Sequence, residues 1–149
     1  MSTPGQGVAF PALIESLYPS LEFVLSCAGD CGVDETRRHD IELAMEEILV
    51  NIYDYAYPES PGEVSITCGR TAGKKGNIFT IEIADGGVPF DILSVSEPDL
   101  DADIEERPIG RLGVFVVKKL MDGVHYRHEK GLNIVTIEIS LDKPRPSFI

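Results

Sequence analysis

The stretch that decides the fold is DETRRHDIELAMEEILVNIYDY, Asp34 to Tyr55. Asp34-Glu35-Thr36 carries the cap and acidic first-turn signals of a helix start. Ile41, Ala44, Met45, Ile48, Ile52 and Tyr55 then recur at helical spacing, which predicts one continuous apolar face. Pro58 stops the helix, and Tyr57–Gly62 is a turn by composition. Glu47 and Asn51 are four residues apart and share one edge of this helix, with Asp54 continuing the stripe. Glu47 is one residue, roughly 100°, from Ile48, so the polar stripe borders the apolar face and can point into a cleft between helix and sheet. A carboxylate there suits taking a proton from a nucleophile, and a carboxamide oxygen suits a hard cation such as Mg²⁺. An ordinary polar helix edge has the same spacing.

Downstream of this helix, Val64, Ile66 and Cys68 alternate with Ser65 and Thr67, and Phe79, Ile81 and Ile83 alternate with Thr80 and Glu82. Both read as half-buried strands, joined through a hairpin at Gly73–Asn77. A long irregular stretch follows from Gly86 to Ile109, of a length typical of a lid. A helix is predicted over Leu112–Met121. Two strands then follow at Gly123–Glu129 and Asn133–Leu141, turned at Lys130-Gly131, with Val135, Ile137 and Ile139 on one side. Upstream, residues 1–12 read as irregular. A first helix is expected within Glu15–Ala28, its regular part beginning with Ser20 as cap because Pro19 fits only a first turn. Gly29 and Gly32 would end it. The order helix, helix, hairpin, lid, helix, hairpin predicts an α+β fold. Its architecture is a two-layer α/β sandwich with a mixed, mostly antiparallel sheet and helices on one face.

The chain has 149 residues, 43% hydrophobic and 26% charged, which fits one globular domain spanning 1–149. No apolar run approaches the roughly 18 residues of a membrane helix, and the N-terminus lacks the pattern of a secretory signal. Three cysteines are an odd count and fit a reducing, cytoplasmic setting. The net charge of -12 argues against a broad nucleic-acid surface, which needs a basic stripe. It leaves room for a small anion site at a helix terminus. Asp91–Glu106 holds seven acidic residues and no basic one, which reads most simply as a solvated loop.

Two further motifs bear on chemistry. Asp85-Gly86-Gly87 follows the strand ending at Ala84. It is either a turn or a hydrogen-bond acceptor with bare backbone beside it, open to a planar ligand. Gly110-Arg111-Leu112-Gly113 opens a helix, where exposed N–H groups and the helix dipole favour an anion, and Arg107 or Arg111 adds a charge-assisted contact. A Gly-x-x-x-x-Gly-Lys-Ser/Thr phosphate loop is absent.

Glu47-x-x-x-Asn51 on a helix, Asp85-x-Gly87 after a strand and Gly110-x-x-Gly113 at a helix start occur in that order. In this respect the chain resembles the GHKL ATP-binding superfamily. Within it, Glu106–Asp122 is similar to the small bacterial anti-sigma factor serine/threonine kinases. The resemblance runs from about Leu21 to Ile139. It implies a GHKL fold with a nucleotide lid, and Mg²⁺ and ATP as cofactors. It implies Glu47 as general base, Asn51 as Mg²⁺ ligand and Asp85 as acceptor for the adenine amino group. It further implies Gly87 as the position where the base approaches, Gly110 and Gly113 framing the triphosphate, and Thr136 near the adenine. Asp54, Arg107 and Arg111 join the cofactor-binding set. The implied function is phosphorylation of a Ser or Thr on a STAS-type anti-anti-sigma partner, together with sequestration of a sigma factor. The alternatives are a nucleotide-responsive partner-switching module without catalysis and a simple ATPase. Neither nucleic acid nor membrane is an expected partner. In that family the first-helix region contributes to dimers, so Leu21–Leu25 reads as core or as a partner surface, and a homodimer is open.

Two residues depart from the superfamily pattern. Pro89 stands where many members have a second glycine, although the kinase subfamily often has Pro there. Arg111 occupies a position that is frequently Gly. Cys27, Cys31 and Cys68 with His39, His125 and His128 lack a second matched ligand pair, which argues against a zinc site. Lys118-Lys119 reads as a solvated helix edge.

Overall fold

The computed structural model describes residues 6–74, 76–94 and 111–144. The elements run β1 (Gln6–Pro11), α1 (Leu17–Asp30), α2 (Glu35–Tyr55), β2 (Glu63–Gly73), β3 (Gly76–Asp85), α3 (Arg111–Leu120), β4 (Gly123–Glu129) and β5 (Leu132–Ser140). Short 3-10 turns lie at Ile14–Ser16 and Ile92–Ser94. The five strands form one sheet in the order β1-β2-β3-β5-β4.

Every strand pair is antiparallel. The expected, mostly antiparallel sheet is wholly antiparallel among the described residues. Two hairpins, β2–β3 and β4–β5, are laid side by side so that their second strands, β3 and β5, meet at the centre. The register decides which residues share a face. Phe79, Ile81 and Ile83 pair with Ile139, Ile137 and Val135, and Asp85 pairs with Asn133. Phe79, Ile81, Ile83 and Ile137 are fully buried, and Ile139 and Val135 nearly so, because α1, α2 and α3 cover that face. Ile41, Met45, Ile48 and Leu49 of α2 meet them from the other layer. Each such side chain, fully buried, contributes about 1.5–3 kcal/mol. The intervening residues Thr80, Glu82, Thr136 and Glu138 lie on the opposite face, which no helix among the described residues covers.

Local chemistry sets the boundaries. The Asp34 side chain caps α2 by accepting from the Arg37 backbone N–H at 2.8 Å. α1 starts at Leu17, three residues before the expected Ser20, and Pro19 still falls in the first turn, where no backbone N–H is required. Ser20 is instead fully buried. Gly32, at φ 91°, supplies the left-handed exit, whereas Gly29 remains inside the helix. The largest correction is at the N-terminus. Gln6–Pro11, expected to be irregular, is an edge strand along β2, with Val8 opposite Ile66 and Phe10 opposite Val64. Its Gly and Pro are tolerated because one side of an edge strand has no ladder to complete. Phe10 also packs on Phe23 of α1 with ring centroids 6.4 Å apart.

A buried ionic knot joins the first turns of α2 to the far end of α3. Arg37 donates to Asp40 Oδ2 at 2.8 Å, to the Leu120 carbonyl at 2.8 Å and to Asp122 Oδ2 at 3.0 Å. Asp122 Oδ2 also accepts from the Ser140 N–H at 2.8 Å, so one carboxylate links α2, the α3–β4 turn and β5.

Candidate functional site

Position Asn51 is set by α2, Asp85 by the end of β3 and Asn133 by the start of β5. All three line one crevice, closed at the side by the loop 86–90. Ile48, Ile52 and Val135 make its apolar wall, and Tyr55 and Phe90 stand at its mouth with ring centroids 6.4 Å apart. A mostly apolar crevice with a few convergent polar groups is the usual form of a site for a flat aromatic ligand. The cavity is narrow, about 30 Å³.

Asp85 is 5% exposed. Its Oδ1 accepts from the Gly87 N–H at 2.9 Å and from Asn133 Nδ2 at 3.0 Å. Oδ2 has no hydrogen-bond partner among the described residues, which leaves an acceptor for a ligand in the crevice. The loop after Asp85 is stitched to the end of α2. Val88 N–H donates to the Ala56 carbonyl at 2.9 Å. Gly86 N–H donates to the Tyr57 hydroxyl at 2.7 Å, which in turn donates to the Glu63 carbonyl at 2.6 Å. A Cβ on Gly87 would run into the backbone of Ala56. The glycine is therefore required for the loop to press against α2, a different reason from the ligand approach that the motif suggests.

Asn51 donates its Nδ2 to the Glu47 carbonyl at 2.8 Å. Only the nitrogen can serve that carbonyl, so Oδ1 is the atom left over. Glu47 is one turn earlier, half-buried, and does not itself line the crevice. Burial, and secondarily the charge of Glu46, raises its pKa above the ordinary carboxylate value, the direction that makes a carboxylate a better base. Asp54 is exposed and does not line the crevice.

The structure does not bring Thr136 to this site. It pairs with Glu82 and His125 on the sheet face opposite the helices, where its hydroxyl accepts from Arg127 at 3.5 Å. Strand alternation is the reason: Asp85 shares its face with Asn133, not with a residue three positions along. Asn133, absent from the expected set, takes the place beside Asp85. The signal for it was present, since Val135, Ile137 and Ile139 fix the buried phase and two residues back is Asn133. Arg111 opens α3 and Gly113 lies in its first turn, while Arg107 and Gly110 lie outside the described residues. Lys118 is exposed, as expected of a solvated edge, and also donates to the Leu93 carbonyl at 2.7 Å, which ties α3 to the 3-10 turn beyond the crevice.

Among the described residues, no group of three or more His, Cys, Asp or Glu is arranged to hold a metal ion. No helix among them is long and apolar enough to cross a membrane.

The family model of the histidine kinase-like ATPase domain matches residues 10–139. The chain belongs to that family. Its match takes in α2, the Asp85 loop and β5, the elements that build the crevice of this ATPase-type domain. The chain is 30% identical over 100 residues to the serine-protein kinase RsbW of Bacillus thuringiensis (strain Al Hakam), covering 64% of this chain and 60% of that protein. It is 31% identical over the same length to RsbW of Bacillus cereus (strain AH820), with the same coverage. The chain thus spans about 60% of the length of these curated relatives. A crystal structure of the RsbU and RsbW domains of Rv1364c from Mycobacterium tuberculosis aligns with a TM-score of 0.63 and 16% identity. It covers 97% of this chain and 34% of that one, which supports the fold.

Proposed function

We propose that this histidine kinase-like ATPase domain is a serine/threonine protein kinase of the anti-sigma type. In this reading it binds Mg·ATP in the crevice, phosphorylates a STAS-type anti-anti-sigma protein and sequesters a sigma factor. The observation that carries the reading is the convergence of Asn51 and Asp85 on one crevice, each with an oxygen left over after its internal hydrogen bonds. The names of the RsbW relatives favour a protein serine as acceptor.

The donor set fits the cofactor. Mg²⁺ takes oxygen ligands and keeps several waters, so one carboxamide oxygen from Asn51 together with phosphates is sufficient. Bound Mg·ATP would supply the transferable phosphoryl group. Asp85 Oδ2 would accept from the 6-amino group of the base, and Ile48, Ile52 and Val135 would pack against its apolar ring. Glu47 would take the proton of the acceptor hydroxyl. Positioning and charge stabilisation carry most of such a transfer.

The test is incubation with γ-labelled ATP, Mg²⁺ and a purified STAS-type protein, with Glu47→Gln and Asn51→Ala as controls. Label on the partner that is lost in both variants supports the kinase. Phosphate release without labelled protein would replace it with an ATPase. Partner capture that is unchanged by nucleotide, without label, would replace it with a binding module.

A further inference from the structure

Asn133 is 4% exposed and uses its full hydrogen-bonding capacity. Nδ2 donates to Asp85 Oδ1 at 3.0 Å and to the Val88 carbonyl at 2.9 Å. Oδ1 accepts from the Phe90 N–H at 3.1 Å and from the Tyr126 hydroxyl at 2.6 Å. The amide cannot turn over. Turned over, its oxygen would face the Asp85 carboxylate and the Val88 carbonyl, and its nitrogen the Phe90 N–H, like against like. Burial and then the charge of Asp91 raise the Tyr126 pKa, so its phenol keeps the proton it donates to Asn133.

This fixed donor acts on residue 85. Asn133 Nδ2 and Gly87 N–H both point at Oδ1. Whatever planar group stands at 85, the atom facing those two donors must be an oxygen. The other terminal atom is then decided by chemistry alone: an acceptor oxygen for Asp, a donor N–H₂ for Asn.

We infer that Asn133 is a specificity-determining positioning residue: by pinning one oxygen of residue 85 inward, it dictates whether the crevice offers an acceptor or a donor to the 6-position of a purine nucleotide. The inference rests on the adenine-nucleotide reading of the crevice. It assigns the discrimination between a 6-amino and a 6-oxo purine to the Asn133–Asp85 pair and not to Asp85 alone. Losing a hydrogen bond to a charged group while leaving a buried partner unpaired costs enough for roughly tenfold or more in affinity.

The experiment is calorimetric titration of the full chain with ADP and with IDP, which carries a 6-oxo group. The proteins are the wild type, Asp85→Asn, Asn133→Ala, the double variant and Tyr126→Phe, each with its melting temperature measured. The wild type is expected to prefer ADP by about tenfold or more. Asp85→Asn, nearly isosteric, is expected to reverse the preference toward IDP, because its oxygen is held inward and its amide nitrogen faces the ligand. Without Asn133 only the Gly87 N–H still holds the oxygen inward, so the double variant is expected to show a weaker reversal than Asp85→Asn alone; an equally full reversal overturns the inference. Tyr126→Phe removes one of the two donors that orient Asn133 and is expected to narrow the wild-type preference with little loss of melting temperature. Retained ADP preference in Asp85→Asn overturns the inference. So does Asn133→Ala weakening both nucleotides equally while Tyr126→Phe leaves the ratio unchanged, the result of a merely structural role. A folded wild type that binds neither nucleotide overturns the adenine-nucleotide reading itself, and the inference with it.

Discussion

Gly87 sits against the backbone of Ala56, with no room for a Cβ between the loop after β3 and the end of α2. This contact, together with the Val88–Ala56 hydrogen bond of 2.9 Å, makes α2 and the Asp85 loop a single unit. Gly87→Ala is expected to push the loop off the helix at a cost of about 1–3 kcal/mol, as for overpacking elsewhere. The Gly87–Asp85 bond would be lost with it. A lowered urea midpoint accompanied by weaker ADP binding checks this; an unchanged midpoint would show that the loop relaxes freely.

Asn51 offers the crevice an oxygen because its nitrogen is spent on the Glu47 carbonyl. Asn51→Ala is therefore expected to abolish the Mg²⁺ dependence of nucleotide affinity, and phosphotransfer with it. Chelating Mg²⁺ from the wild type is expected to mimic the variant. Titration of ADP with and without Mg²⁺ gives the comparison, and a variant that still responds to Mg²⁺ would place the metal elsewhere.

Burial raises the Glu47 pKa, with Glu46 adding to it. A base acts deprotonated, so phosphotransfer is expected to fall as pH drops through this raised value. The acid limb should lie above the ordinary glutamate pKa of about 4.3. Glu47→Gln should remove that limb and lower the rate by about 10²–10⁴. The stability effect has the opposite sign. A folded-state pKa above the unfolded one contributes stability that is complete below the unfolded value and is lost as pH rises through the folded value. Glu47→Gln should accordingly flatten the pH dependence of unfolding in that window without destabilising the protein at neutral pH.

Arg37 is nearly buried, as is Asp40, and the pair is 2.8 Å apart. Arg37→Ala leaves Asp40 and Asp122 without this guanidinium, and removing one partner of a buried pair typically costs about 3–5 kcal/mol. Chemical denaturation should show a loss of this size; a loss below about 1 kcal/mol, the range of surface pairs, would mean that water substitutes for the guanidinium.

Much of this architecture was readable from apolar period. The α2 face carries a helical period and β2, β3 and β5 an alternation that burial then rewards, so their existence followed from Ile41–Ile52, Val64–Cys68, Phe79–Ile83 and Val135–Ile139, whereas Tyr55, expected on the same face, is exposed. β1 was not readable, because Gly7 and Pro11 are strand-breaking in isolation and are permitted by its edge position. Thr136 was misplaced because a motif gives order along the chain and not the face of a strand. Counting by twos from Ile137 leads to Asn133. Tyr57 and Tyr126 carried no local signal. Their hydroxyls matter only once β2, β4 and the Asp85 loop are brought together by the sheet register.

The central claim is that the crevice between α2 and the ends of β3 and β5 takes an adenine nucleotide on Asp85. Calorimetric titration of the wild type and Asp85→Ala with Mg·ADP tests it most directly. Saturable binding by the wild type, lost in a folded Asp85→Ala, is the predicted result. A folded wild type with no heat of binding, or equal affinity in both proteins, would contradict it.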